Sequence, residues 1–67
     1  MYRRFEAKDN YNEYEIMEEI PGILVNLYVY HKGLCIKDEH QDTLETCKRI
    51  ALRDWGVPYD AWMEIIE

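Results

Sequence analysis

A chain of 67 residues holds one domain and not two, and the core of so short a chain is marginal. Its formal net charge of −6 at pH 7 argues against ordinary nucleic-acid binding, which relies on Lys and Arg neutralising phosphates. Six Tyr and two Trp are many for this length, and such side chains supply contact area at interfaces as well as in cores.

The acidic groups are clustered. Glu6, Asp9, Glu13, Glu15, Glu18 and Glu19 gather early with only Lys8 among them. Asp38, Glu39, Asp42 and Glu45 form a second group. Asp54, Asp60, Glu64 and Glu67 form a third, with no Lys or Arg after Arg53. Such a surface keeps a small domain soluble and also attracts a basic partner.

Residues 1–12 are mostly polar, carry no clear period and read as a mobile lead-in or a short edge element. From Tyr14 the pattern alternates: Tyr14, Ile16 and Ile20 share one face and Glu13, Glu15 and Glu19 the other, as in a half-buried strand, with Glu18 interrupting the apolar side. Pro21-Gly22 then favours a tight turn. Ile23 to Tyr30 is the strongest strand, with Ile23, Val25, Leu27 and Val29 on one face and Leu24, Asn26, Tyr28 and Tyr30 on the other. His31-Lys32-Gly33 suits a hairpin with a bulge, and Leu34 to Lys37 returns as a third strand.

Asp38 to Gln41 reads as a polar connection. Asp42 or Thr43 is placed to cap a helix, with Glu45 positioned to reach back to the cap. Leu44, Cys47, Ile50, Ala51 and Trp55 recur at helical spacing, and Gly56 followed by Val57-Pro58 ends the helix. Ala61, Trp62, Ile65 and Ile66 also fall at helical spacing, so Tyr59 to Glu67 is expected to form a short second helix, with a terminal strand as the alternative. The predicted fold is a single α+β domain over residues 1–67. It has a three-stranded antiparallel sheet against one main helix and a short C-terminal helix, in the order β-β-β-α-α.

Little in the sequence points to catalysis. His31, Cys35, His40 and Cys47 are zinc-ligand types but lack the closely spaced pairs of common structural sites, and Cys47 lies on the apolar helix stripe. No Gly-rich phosphate loop, nucleophile elbow or metal-ligand helix motif occurs. No cofactor, metal or enzymatic activity is expected. Two cysteines make no disulfide framework, no signal peptide follows Met1, and no apolar run is long enough for a membrane span. These features predict a cytoplasmic protein with reduced thiols.

The stretch YVYHKGLCIKD, Tyr28 to Asp38, resembles the central segment of the small uracil-DNA glycosylase inhibitors of Bacillus phages. Tyr28, Tyr30, His31, Lys32, Gly33, Leu34 and Asp38 match, and Ile36 is a conservative match. The resemblance covers Tyr14 to Asp38. It implies a phage protein that inhibits a host DNA-processing enzyme by mimicking DNA. It further implies a homodimer whose apolar pocket grips a leucine of the glycosylase, with carboxylates in place of phosphates. Where that family carries an aromatic, a Glu and a second aromatic, this chain has Glu39, His40 and Thr43, and a capped helix follows where the family ends in a strand. The alternative is a small β-β-β-α nucleic-acid-binding or interaction module of the AP2 or integrase-arm type, although those modules are basic.

The candidate partner-binding residues are Tyr28 and Tyr30, which project from one side of their strand, with the acidic groups Glu13, Glu39 and Asp42 near them. The competing expectation is that Trp62 and the C-terminal helix cover this side and make both tyrosines core.

Overall fold

The computed structural model describes residues 2–66. Five strands form one antiparallel sheet in the order β4-β3-β2-β1-β5: β1 Arg3–Lys8, β2 Glu13–Ile20, β3 Leu24–His31, β4 Leu34–Gln41 and β5 Met63–Ile65. One helix, α1 Leu44–Trp55, covers a single face, and a 3₁₀ turn at Tyr59–Ala61 leads into β5.

The first four strands form a meander because each connection is short and chemically suited to its turn. Asp9 closes the first by accepting from the Tyr11 and Asn12 N–H groups, both at 2.8 Å. Pro21-Gly22 closes the second: Ile23 N–H donates to the Ile20 carbonyl at 2.9 Å, and Gly22 takes the positive φ of 77° that the third residue of a type II turn requires. Lys32 and Gly33 close the third with φ of 53° and 80°, the pair of positive values that defines a type I′ hairpin. Beside this turn the β3–β4 register shifts by one residue, Val29 pairing with Lys37 and Tyr30 with Cys35, so that Ile36 is the extra residue of a bulge on β4.

The chain then crosses the sheet through α1. Thr43 supplies the N-cap, its hydroxyl accepting from Thr46 N–H at 3.1 Å; Glu45 instead accepts from the Tyr59 hydroxyl at 3.3 Å. Gly56 ends the helix in the left-handed region. The core lies between α1 and the sheet. It comprises Phe5, Ala7, Tyr14, Ile16, Val25, Leu27, Val29, Cys47, Ile50, Ala51 and Val57, with Leu44, Trp55, Ala61 and Trp62 packed at its margin.

Several expectations are corrected. Among the described residues the sheet has five strands rather than three, and there is one α-helix rather than two. Residues 3–8 are no lead-in: β1 is an internal strand flanked by β2 and β5, because Phe5 and Ala7 point into the core while Arg4, Glu6 and Lys8 point away. Residues 63–65 extend rather than coil because pairing with β1 satisfies their backbone and leaves Trp62 free to pack on the core. The polar run Asp38 to Gln41 is the second half of β4, polar because β4 is an outer strand. Ile20 and Ile23 leave the apolar face at the turn and are largely exposed. Met1 and Glu67, the outermost residues of the two reassigned segments, lie outside the described residues.

Candidate functional site

With α1 on one face, no element among the described residues covers the other face of the sheet. Cross-strand partners project to the same side, so the strand register arranges this bare face in rows. One row runs Met63, Glu6, Glu15, Tyr28, Asp38 from β5 to β4. A second runs Lys8, Glu13, Tyr30, Cys35, and a third runs Ile65, Arg4, Met17, Asn26, His40. Tyr28 is therefore set between two carboxylates, and Tyr30 beside a third.

The tyrosine rings are half-buried against their neighbours, with centroids 6.4 Å apart and planes inclined by 34°. Tyr30 donates to Glu15 Oε1 at 3.4 Å. Partial burial raises both hydroxyls above the ordinary tyrosine pKa. For Tyr28 the charges of Glu19, Glu15 and Asp38 add to that rise, and for Tyr30 the charge of Glu15 does. Both hydroxyls are thus neutral donors at physiological pH. Glu6 and Glu15 stand directly opposite each other, which repels; Arg4 lies between them, 3.6 Å from Glu6 and 3.4 Å from Glu15.

The five sequence-predicted site residues divide. Tyr28, Tyr30 and Glu13 share the bare face. Glu39 does not: it pairs with Leu27 and so turns toward the helix side, where its charge helps raise the Cys47 thiol. Asp42 lies in the turn ahead of α1 and acts on Cys47 as well. Trp62 packs against the core cluster on the helix side and β5 lies beside β1, so the described part of the C-terminal segment does not cover the tyrosines. Glu6, Glu15 and Asp38 were missed. A turn centred on Pro21-Gly22 sets Glu15 opposite Tyr28, and that signal was present in the sequence.

The zinc-ligand types are dispersed. His31 Nδ1 lies 3.0 Å from the Tyr11 carbonyl, His40 bonds Asn26, Cys47 is in the core and Cys35 is exposed on β4. Among the described residues no group of three His, Cys, Asp or Glu side chains is placed to hold a metal ion. No described helix is long and apolar enough to cross a membrane. No protein-family model matches the chain, and no curated protein or solved structure matches it significantly.

Proposed function

We propose that this protein is a small acidic inhibitor of the phage or mobile-element type, which binds a host DNA-processing enzyme as a DNA mimic and catalyses no reaction itself. The observation that carries this reading is the register of the bare sheet face, which interleaves Glu6, Glu13, Glu15 and Asp38 with Tyr28 and Tyr30. A DNA-binding enzyme presents a basic groove, and an ordered array of carboxylates complements it. Half-buried aromatics in the same array supply the desolvated anchors that charge alone does not.

Within this reading, the Tyr28 to Asp38 resemblance points to uracil-DNA glycosylase as the enzyme and to the cytoplasm as its location. It also points to a homodimer. The outer strand β4 leaves an eight-residue edge unpaired, a surface that assembly would cover. The alternative module, which lays a sheet face on DNA, is not favoured, because phosphates would meet the carboxylates of this face.

The test is uracil excision from a duplex oligonucleotide by a bacterial uracil-DNA glycosylase, together with capture of bound proteins from a bacterial lysate. Inhibition at near-stoichiometric ratios, weakening as salt rises, is expected. Direct tight binding to duplex DNA at physiological ionic strength would overturn the reading. Sedimentation at micromolar concentration tests the dimer, for which twice the chain mass is expected and a strict monomer is the contrary result.

A further inference from the structure

β5 is the shortest strand of the sheet, three residues against six in β1 and eight in each of the others. It pairs with β1 only over Arg4–Ile65, Phe5–Glu64 and Glu6–Met63. None of Met63, Glu64 and Ile65 belongs to the core; the core contact of this segment is made by Trp62, the residue before it. One side-chain fork reinforces the short ladder. Arg3 donates from Nε to Glu64 Oε2 at 2.9 Å and from Nη2 to Glu64 Oε1 at 3.0 Å. A second carboxylate competes for the same guanidinium. Glu18 stands directly opposite Arg3 across the β1–β2 ladder, on the helix side, and is only 8% exposed. Arg3 is its one ion-pair partner among the described residues, at 3.9 Å, too far for a hydrogen bond. A carboxylate so buried is stabilised by a close, hydrogen-bonded cation, and the closed fork holds that cation away.

We infer that β5 is a releasable strap: it detaches from β1 with the rest of the fold intact, and Arg3 is its latch, gripping Glu64 when the strap is closed and turning to Glu18 when it is open. Arg3 lies on β1, so it stays behind when β5 leaves. The guanidinium that loses one carboxylate closes on another already 3.9 Å away, which offsets part of the cost of release. Little else opposes opening, because no core side chain departs with β5. In the open form the outer edge of β1 from Arg4 to Glu6 presents its backbone groups to an added strand, while the packing of α1 on the sheet is unchanged. The inference is independent of what the bare face binds.

The experiment is native-state amide hydrogen exchange of the full chain, read residue by residue by nuclear magnetic resonance and corrected for intrinsic rates. The amides bonded between β1 and β5 should exchange through local opening, faster than those of the fully buried Leu27 and Val29, which wait for global unfolding. Glu64→Gln should raise exchange in the β1–β5 ladder about threefold, the scale of an exposed ion pair, and leave Leu27 and Val29 unchanged relative to global stability. Glu18→Gln removes the grip of the open form and should lower ladder exchange by about the same factor. Arg3→Gln alters an exposed side chain and removes both grips, so it should raise ladder exchange less than Glu64→Gln does. Simple fraying of a chain end has no such pattern. Ladder exchange that rises or stays level with Glu18→Gln would overturn the inference. So would an effect of Arg3→Gln equal to or above that of Glu64→Gln, or ladder amides no faster than Leu27 and Val29.

Discussion

The Tyr30 hydroxyl donates to Glu15 at 3.4 Å across the β2–β3 ladder, so the aromatic and acidic parts of the bare face are joined. Neither side chain packs on the core between the sheet and α1. Contacts on this face are therefore separable from contacts that hold the fold.

The double substitution Tyr28→Ala with Tyr30→Ala uses that separation. Partner binding should fall by more than ~1 kcal/mol per anchor. Stability should fall by about 1 kcal/mol per residue, the scale of substitutions on a strand surface. Leu27→Ala, on the same strand but fully buried, should cost about 2–5 kcal/mol. Chemical denaturation of the two variants, beside a binding assay, checks the contrast; a double variant as unstable as Leu27→Ala would place the tyrosines in the core.

Phe5→Ala tests β1. Phe5 is 5% exposed and sits under Lys48, whose ammonium lies 5.3 Å from the ring centroid. Its truncation should cost about 3–5 kcal/mol in thermal or denaturant unfolding. A lead-in segment would lose almost nothing.

The contrast between strands explains what was legible in the sequence. Ile23 to Tyr30 and the helix stripe declared themselves because long apolar periods meet strong caps and turn residues. RRFEAK did not, because only Phe5 and Ala7 are apolar and its arginines pair with carboxylates on other strands, Arg3 with Glu64 and Arg4 with Glu15. The β5 segment misled because Ala61, Trp62, Ile65 and Ile66 satisfy a helical spacing, and only the available edge of β1 decides for extension. Glu39 was misplaced by a single residue of register. Asp38 opposes Tyr28, so its neighbour faces the other way.

Acid titration should expose Asp9. The Tyr14 hydroxyl donates to Asp9 at 2.7 Å and, with the Asn12 and Tyr11 N–H groups, holds its carboxyl below the ordinary value of 3.8. A depressed folded value means the unfolded chain takes up the proton first. The stabilisation is therefore complete above pH 3.8 and is lost as pH falls through the folded value. At neutral pH, Asp9→Asn should lower stability by about 1 kcal/mol, solvent screening included. The difference from the unaltered protein should close in strong acid. Paired denaturation curves from pH 7 downward measure it, and a constant difference at every pH would be the contrary result.

The two thiols should differ in reactivity. Cys47 is fully buried, and burial, with Glu39 and Asp42 adding to it, pushes its pKa up to about 11. Cys35 is exposed on β4. Iodoacetamide at pH 8 should modify Cys35 in the folded protein and reach Cys47 only on unfolding, as mass spectrometry with and without denaturant would record. Native labelling of Cys47 at the rate of Cys35 would contradict the packing of α1 on the sheet.

The pairing of β5 with β1 has a consequence for how the molecule is made. The hairpins of β1 to β4 close over short loops whereas β5 returns from far along the chain, so the meander forms with the outer edge of β1 open. That edge offers unpaired N–H and carbonyl groups to any nearby strand until Met63–Ile65 arrives. Its closure joins segments far apart in sequence, which slows folding relative to the local hairpins. The chain is thus most exposed to aggregation while the meander has formed and β5 has not yet docked.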